Sequence, residues 1–365
     1  LQPFAVDDLL LQWDWRTADL LLPVRGSATL NGDAERLSLA ASLDSPARSS
    51  IDAVINQALT APTWQAEFSV ETINLQRSVS AEMPDVELQL RGASIGSSET
   101  ASVDATGSVT FGGIEHPWKI DASVPLTDDD YPELAIRSGE MQLTITPAEA
   151  RKDKATIKLD VPDLASLWPG LSGQVKADGE LLGPRTRPVI SLSMNASQLV
   201  AGEQTVKRIE LQAQVDSSLP ADVPIQLTAR VDEAQVAGYA VDGNLELQGT
   251  PGDARLNVSL IDAGQGEIQL LSRGGLANGT LSATIEQLVL NHPQAGQWEA
   301  RPGAELTLRA DAGELTLACL QRQDASICGE STWQKQRVDA RMNIKSLQLE
   351  TVPFLARFSD YRVAG

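Results

Sequence analysis

Two cysteines are the residues of this 365-residue chain best suited to covalent chemistry. Cys319 and Cys328 lie in "LACLQRQDASICGESTW", with eight residues between them. That gap suits a hairpin tip whose two arms face each other. It is not the Cys-x-x-Cys spacing of a redox pair. Two thiols are too few for a structural zinc site, and His116 and His292 fall in unrelated stretches. Two readings remain, a hairpin disulfide or a pair of buried thiols. The disulfide is favoured, and it implies an oxidising compartment. On chain-entropy grounds so short a loop adds about 2–3 kcal/mol at most.

Acid–base and nucleophilic chemistry have little to work with. Asp104, Asp121 and Asp178 stand singly in strand-like or turn-like stretches. The sequence has no Gly-x-Ser-x-Gly elbow, His-Glu-x-x-His pair or glycine-rich phosphate loop. The expectation is therefore a protein that is not an enzyme and carries no cofactor. A long, strand-rich polysaccharide lyase would need a converging set of carboxylates or bases, which this sequence does not display. A net charge of −20 argues against nucleic acid as a partner and against docking on anionic leaflets. The runs "TDDDYPE" and "EARKDKA" read as solvated loops. No apolar run is long enough to span a membrane, and no basic segment precedes an apolar one near Leu1. Any anchor or export signal is expected outside this sequence.

The elements around these residues announce themselves by period-2 alternation. Met141, Leu143 and Ile145 share one strand face, as do Ile157, Leu159 and Val161. Ile190, Leu192 and Met194 follow, then Ile209, Leu211, Ala213 and Val215. The pattern recurs in Ile225, Leu227, Ala229 and Val231, in Leu245 and Leu247, and in Leu256, Val258 and Leu260. Ile268 and Leu270, Leu306 and Leu308, and finally Leu315, Leu317 and Cys319 complete it. Each run is apolar on one face and polar on the other, an antiparallel pattern with one wet face. Glycine punctuates the runs in a loosely repeated hairpin unit, as at "GSATLNGDAERLSLAASL", "GSVTFGGIEHPWKIDASV" and "GNLELQGTPGDARLNVSL". Helix signals are sparse. "PDLASLWPG" offers a turn or two with Leu164, Leu167 and Trp168 on one side, and "SSIDAVINQALTAP" fits a helix or a strand.

The apolar face needs cover. A sandwich or barrel would close it into an ordinary core. With few helices to cover it, a sheet of 20–25 strands would instead run about 100–120 Å and curl lengthwise into a trough. The expectation is an all-β fold, a long, curled, mostly antiparallel sheet forming an elongated U-shaped groove with an aliphatic interior. It divides into a repetitive segment over 1–160 and a second, with the cysteine hairpin, over 161–365. "VPDLASLWPGLSGQV" and "VPFLARFSDYRVAG" begin alike, and the second copy stops at Gly365, which predicts that the chain is a piece of a longer protein.

The stretch "LDVPDLASLWPGLSGQVKADGELLGPRTRPVISLSMNASQL" resembles the repeat of the TamB family, the inner-membrane component of the translocation and assembly module. "LACLQRQDASICGESTW" is similar to that family's paired-cysteine hairpin, and "NIKSLQLETVPFLARF" to the segment after it. The resemblance is clearest from Leu159 to Gly365. It departs where Leu320, not Trp, follows Cys319, and where Ser331-Thr332-Trp333 replaces Gly-x-Trp. The resemblance implies a periplasmic protein of a diderm bacterium, anchored in the inner membrane and meeting a BamA-like outer-membrane barrel. It implies a "β-taco" groove that carries phospholipid acyl chains between the two membranes. The alternative it implies is a scaffold that assists assembly of outer-membrane β-barrel proteins. The groove residues are then the aliphatics of the runs from Met141 to Leu308 named above.

Overall fold

Alternating aliphatic and polar residues, cut every ten or so positions by glycine, proline or aspartate, favour extended chain and tight reversals over helix. The computed structural model describes residues 5–346, excepting 16–21, 79–84, 127–129, 168–169, 220–222, 237–238, 263–265, 278, 294, 310–311 and 335–336. The chain divides into two units, Leu1–Pro188 and Val189–Gly365.

The first unit holds twelve described strands: β1 (Ala5–Trp15), β2 (Val24–Asp33), β3 (Arg36–Ser45), β4 (Ser49–Asn56), β5 (Thr63–Asn74), β6 (Val86–Ser97), β7 (Thr100–Phe111), β8 (Ile114–Pro125), β9 (Glu133–Ser138), β10 (Met141–Ala148), β11 (Arg151–Val161) and β12 (Leu171–Leu182). The second holds twelve more: β13 (Val189–Ala201), β14 (Gln204–Asp216), β15 (Ile225–Val236), β16 (Tyr239–Thr250), β17 (Asp253–Asp262), β18 (Gly266–Ala277), β19 (Thr280–His292), β20 (Gly296–Ala300), β21 (Ala304–Leu308), β22 (Ala312–Arg322), β23 (Ala325–Gln334) and β24 (Arg337–Lys345). Within each unit every strand pairs antiparallel with its sequence neighbour. The exception is the split strand β20–β21, whose two halves share β19 and β22 as partners.

The turns follow their residues. Gly112 and Gly113, at φ +58° and +80°, join Phe111 to its partner Ile114 as a two-residue hairpin that a side chain would strain. The ambiguous stretch after Ser49 is strand β4, not helix. Asp163 caps a single short 3-10 turn, Leu164–Ser166, and Trp168 lies outside the described residues. The segment from 347 to Gly365, with the second copy of the repeat, lies outside them too.

Two expectations need correcting. "EARKDKA" is mostly strand, because β11 begins at Arg151, and its charges are paired, Arg151 with Asp153 and Lys154 with Glu180, both at 2.8 Å. "TDDDYPE" is not wholly solvated, since Tyr131 is buried and its hydroxyl donates to the Gly183 carbonyl at 2.9 Å. Beside it the Arg185 guanidinium donates to the Pro125 carbonyl at 3.2 Å. In a flat sheet the ends of β8 and β12 would stand four strand spacings, about 19 Å, apart. The two loops tie these ends together across β9 to β11.

Little of this chain is hidden. Among the described residues no large side chain is fully buried, and eight of the fourteen buried apolar residues are alanines. A single sheet layer produces this outcome, because small side chains vanish beneath taller neighbours while the leucines stay partly open. A second layer would bury the leucines.

Candidate functional site

Residues directly opposite in an antiparallel ladder share a face, so register decides whether separate aliphatic runs make one surface. In the second unit they do. Leu192, Ala213, Leu227, Leu247, Leu256, Ser272, Ile285 and Ala304 are paired in turn across eight strands. At the usual strand spacing that row runs about 34 Å. Met194, Leu211, Ala229, Leu245, Val258, Leu270 and Leu288 form the next row. Ala196, Ile209, Val231, Gly243, Leu260, Ile268, Leu290 and Trp298 form a third. Ile190, Val215 and Ile225 begin a fourth. Leu306 and Leu308 pair with Ala283 and Leu281 and extend the face. These rows hold no charged residue.

In the first unit Leu143 sits between Ile136 and Leu159, and Ile145 between Leu134 and Ile157. Met141 pairs with Ser138, and Val161 with Val175. The sequence reading began this face at Met141 and missed what precedes it. From Leu143 the row runs back through Ile136, Ile120, Ala105, Gly92, Phe68, Ile51, Ala41 and Ala28 to Leu11, and forward through Leu159 to Ala177. Gly92, Ala105, Ala41 and Ala28 dilute the alternation there. Counting small residues as apolar would have found it.

The sequence-predicted face residues are half-buried, with two exceptions: Val161 is buried, and Ile268 is 39% exposed. Their strand neighbours Gln212, Gln226, Asn244 and Asn257 are exposed, so the two faces differ as the alternation requires. On β24 the face is bare, with Val338 at 67% and Met342 at 71%.

Cys319 and Cys328 pair directly opposite each other, with Cα atoms 3.9 Å apart, and form a disulfide. Cys319 does not share the face of Leu315, as unbroken alternation would require. The register slips by one residue between Leu315 and Ala318, a β-bulge. Ala318 and Leu320 take over the apolar side, and the disulfide falls on the other.

The wet face carries ion pairs both along and across the strands. Lys119 reaches Asp121 at 3.0 Å and Asp104 at 3.2 Å, and hydrogen bonds to these carboxylates raise its pKa. The Asp232 carboxylate sits between Arg208 and Arg230, both at 2.8 Å, and hydrogen bonds from Arg230 and then Arg208 hold its pKa below the usual 3.8. The Lys119 pairs are solvated and individually weak, while Asp232 is largely covered beneath two exposed arginines. Together they keep this side wet and leave the aliphatic side as the place for an apolar ligand. Among the described residues no group of three or more His, Cys, Asp or Glu converges as a metal site, and no helix is long and apolar enough to cross a membrane.

A family model described as "TamB, N-terminal domain" matches residues 55–358. This is more of the first unit than the sequence resemblance reached. No curated protein and no solved structure matches the chain.

Proposed function

This chain belongs to the TamB family, and from that premise we propose that its apolar strand face holds phospholipid acyl chains in transit between the inner and outer membranes. The observation that supports this most is the set of charge-free rows running unbroken from strand to strand and half-covered along their length. An acyl chain asks for no hydrogen bonds and gains about 0.8 kcal/mol for each CH2 it buries. The attraction has no direction, so neighbouring rows hold the chain equally well and it can slide. The protein performs no chemistry and needs no cofactor. It works in the periplasm, held to the inner membrane and meeting a BamA-like outer-membrane barrel through segments outside this sequence.

The family's other role, guiding outer-membrane proteins, would pair a polypeptide with a sheet edge or lay it on the same face. Interior strands already pair on both sides, so a peptide lying there would leave its own N–H and C=O groups without partners. The apolar face therefore favours lipid. The test is lipid extraction from the chain purified out of growing bacteria. The proposal expects phospholipid in at least equimolar amount. A purified chain free of lipid, or one carrying bound protein instead, overturns it.

A further inference from the structure

Four of the seven tryptophans repeat one arrangement. Trp13 stands opposite Gly26, Trp64 opposite Gly96, Trp118 opposite Gly107 and Trp333 opposite Gly313, on the apolar face. In every pair the same two ring atoms, Cζ2 and Cε2, come within 2.1–2.9 Å of where a Cβ on the glycine would stand. None of these four glycines has a positive φ. Their φ values suit any residue; at Gly96 and Gly313 it is the ring that demands glycine, while at Gly26 and Gly107 a strand carbonyl stands closer still. Phe68 repeats the device over Gly92, its Cζ 2.7 Å from the missing Cβ. Trp64 is further held down by a hydrogen bond from Nε1 to Ser94 Oγ at 3.4 Å.

We infer that these pairs set the clearance of the groove. An indole folded across the ladder onto glycine adds roughly one contact distance, about 3.5–4 Å, above the strand. The same ring standing upright would project into the space an acyl chain needs. The glycines are positioning residues, because each acts through the ring opposite it. This rests on the acyl-chain reading above and specifies which residues keep the path open. Aromatic–glycine pairs across a ladder also stabilise sheets, so the test must separate clearance from stability.

Gly96 and Gly313 are the sites to change. There the three atoms nearest an added methyl all belong to the indole, whereas at Gly26 and Gly107 a strand carbonyl lies at 2.4 and 2.1 Å. The variants Gly96→Ala and Gly313→Ala are compared with Trp64→Ala, Trp333→Ala and the corresponding double variants. Two quantities are read, phospholipid per purified chain and melting temperature. Lifting the ring is expected to cut bound lipid about fivefold in the glycine variants. The tryptophan variants and the doubles keep wild-type lipid although they melt lower. Glycine variants that melt lower with lipid unchanged, or tryptophan variants that lose lipid, overturn the inference. A wild-type chain without lipid sinks the acyl-chain reading itself. A lipid-loaded wild type with lipid-loaded glycine variants sinks only the clearance role.

Discussion

Leu211 shows what an open face means for a single side chain. It lies between Met194 and Ala229 in the middle of a row, yet it is only half-buried. A leucine in a closed core loses about 2–5 kcal/mol on truncation to alanine, because transfer and cavity costs add. Here the cavity is already open to one side. Leu211→Ala, Leu227→Ala and Leu245→Ala are each expected to cost about 1 kcal/mol or less, read from the shift in urea midpoint. Costs in the closed-core range at all three would mean that something covers the face. Asp232 gives a prediction on the wet side. Its folded pKa is held below 3.8 by Arg230 and Arg208, so its contribution to stability is present above that value and fades as pH falls through the lower one. Asp232→Asn is expected to flatten the acid limb of a melting-temperature profile below about pH 4 and to leave its shape near neutrality unchanged. An acid limb identical to wild type would remove this carboxylate from the account.

At the scale of elements, the β22–β23 hairpin joins two features that cut against regular pairing. One is the bulge between Leu315 and Ala318, and the other is the interrupted strand β20–β21 beside it. The disulfide between Cys319 and Cys328 clamps the ladder just past the bulge. Replacing both cysteines with serine is expected to speed amide exchange in β22, β23 and β24 and to leave β1 to β12 unchanged, because each strand leans only on its neighbours. Faster exchange throughout the chain would contradict this. The same hairpin shows where sequence reading stops. The disulfide was legible from spacing, and the strands from alternation. The face of Cys319 was not, since one extra residue inverts the phase and nothing in "ELTLACL" marks the slip. In the first unit alternation failed for another reason. Gly26, Gly92, Gly96 and Gly107 lie on the apolar face beneath aromatic rings, and a hydrophobicity count scores them as gaps. The aromatic residues opposite them carried the missing signal, but only register joins a ring to a glycine 11 to 32 residues away.

For the whole molecule, the central claim is that the in-phase aliphatics of neighbouring strands face an open path and that lipid occupies it. A closed core, an assembly scaffold and a lipid conduit all place Leu192, Leu211 and Val258 on the apolar side. They differ in what touches these residues in the cell. The deciding measurement is photocrosslinking in growing bacteria, with the probe at Leu192, Leu211 or Val258 and mass spectrometry of the adducts. Ser191, Gln212 and Ser259, one residue out of phase, serve as controls. Phospholipid adducts are expected at the first three positions and none at the controls. Protein adducts at the in-phase positions, or no adducts at any position, would contradict the central claim.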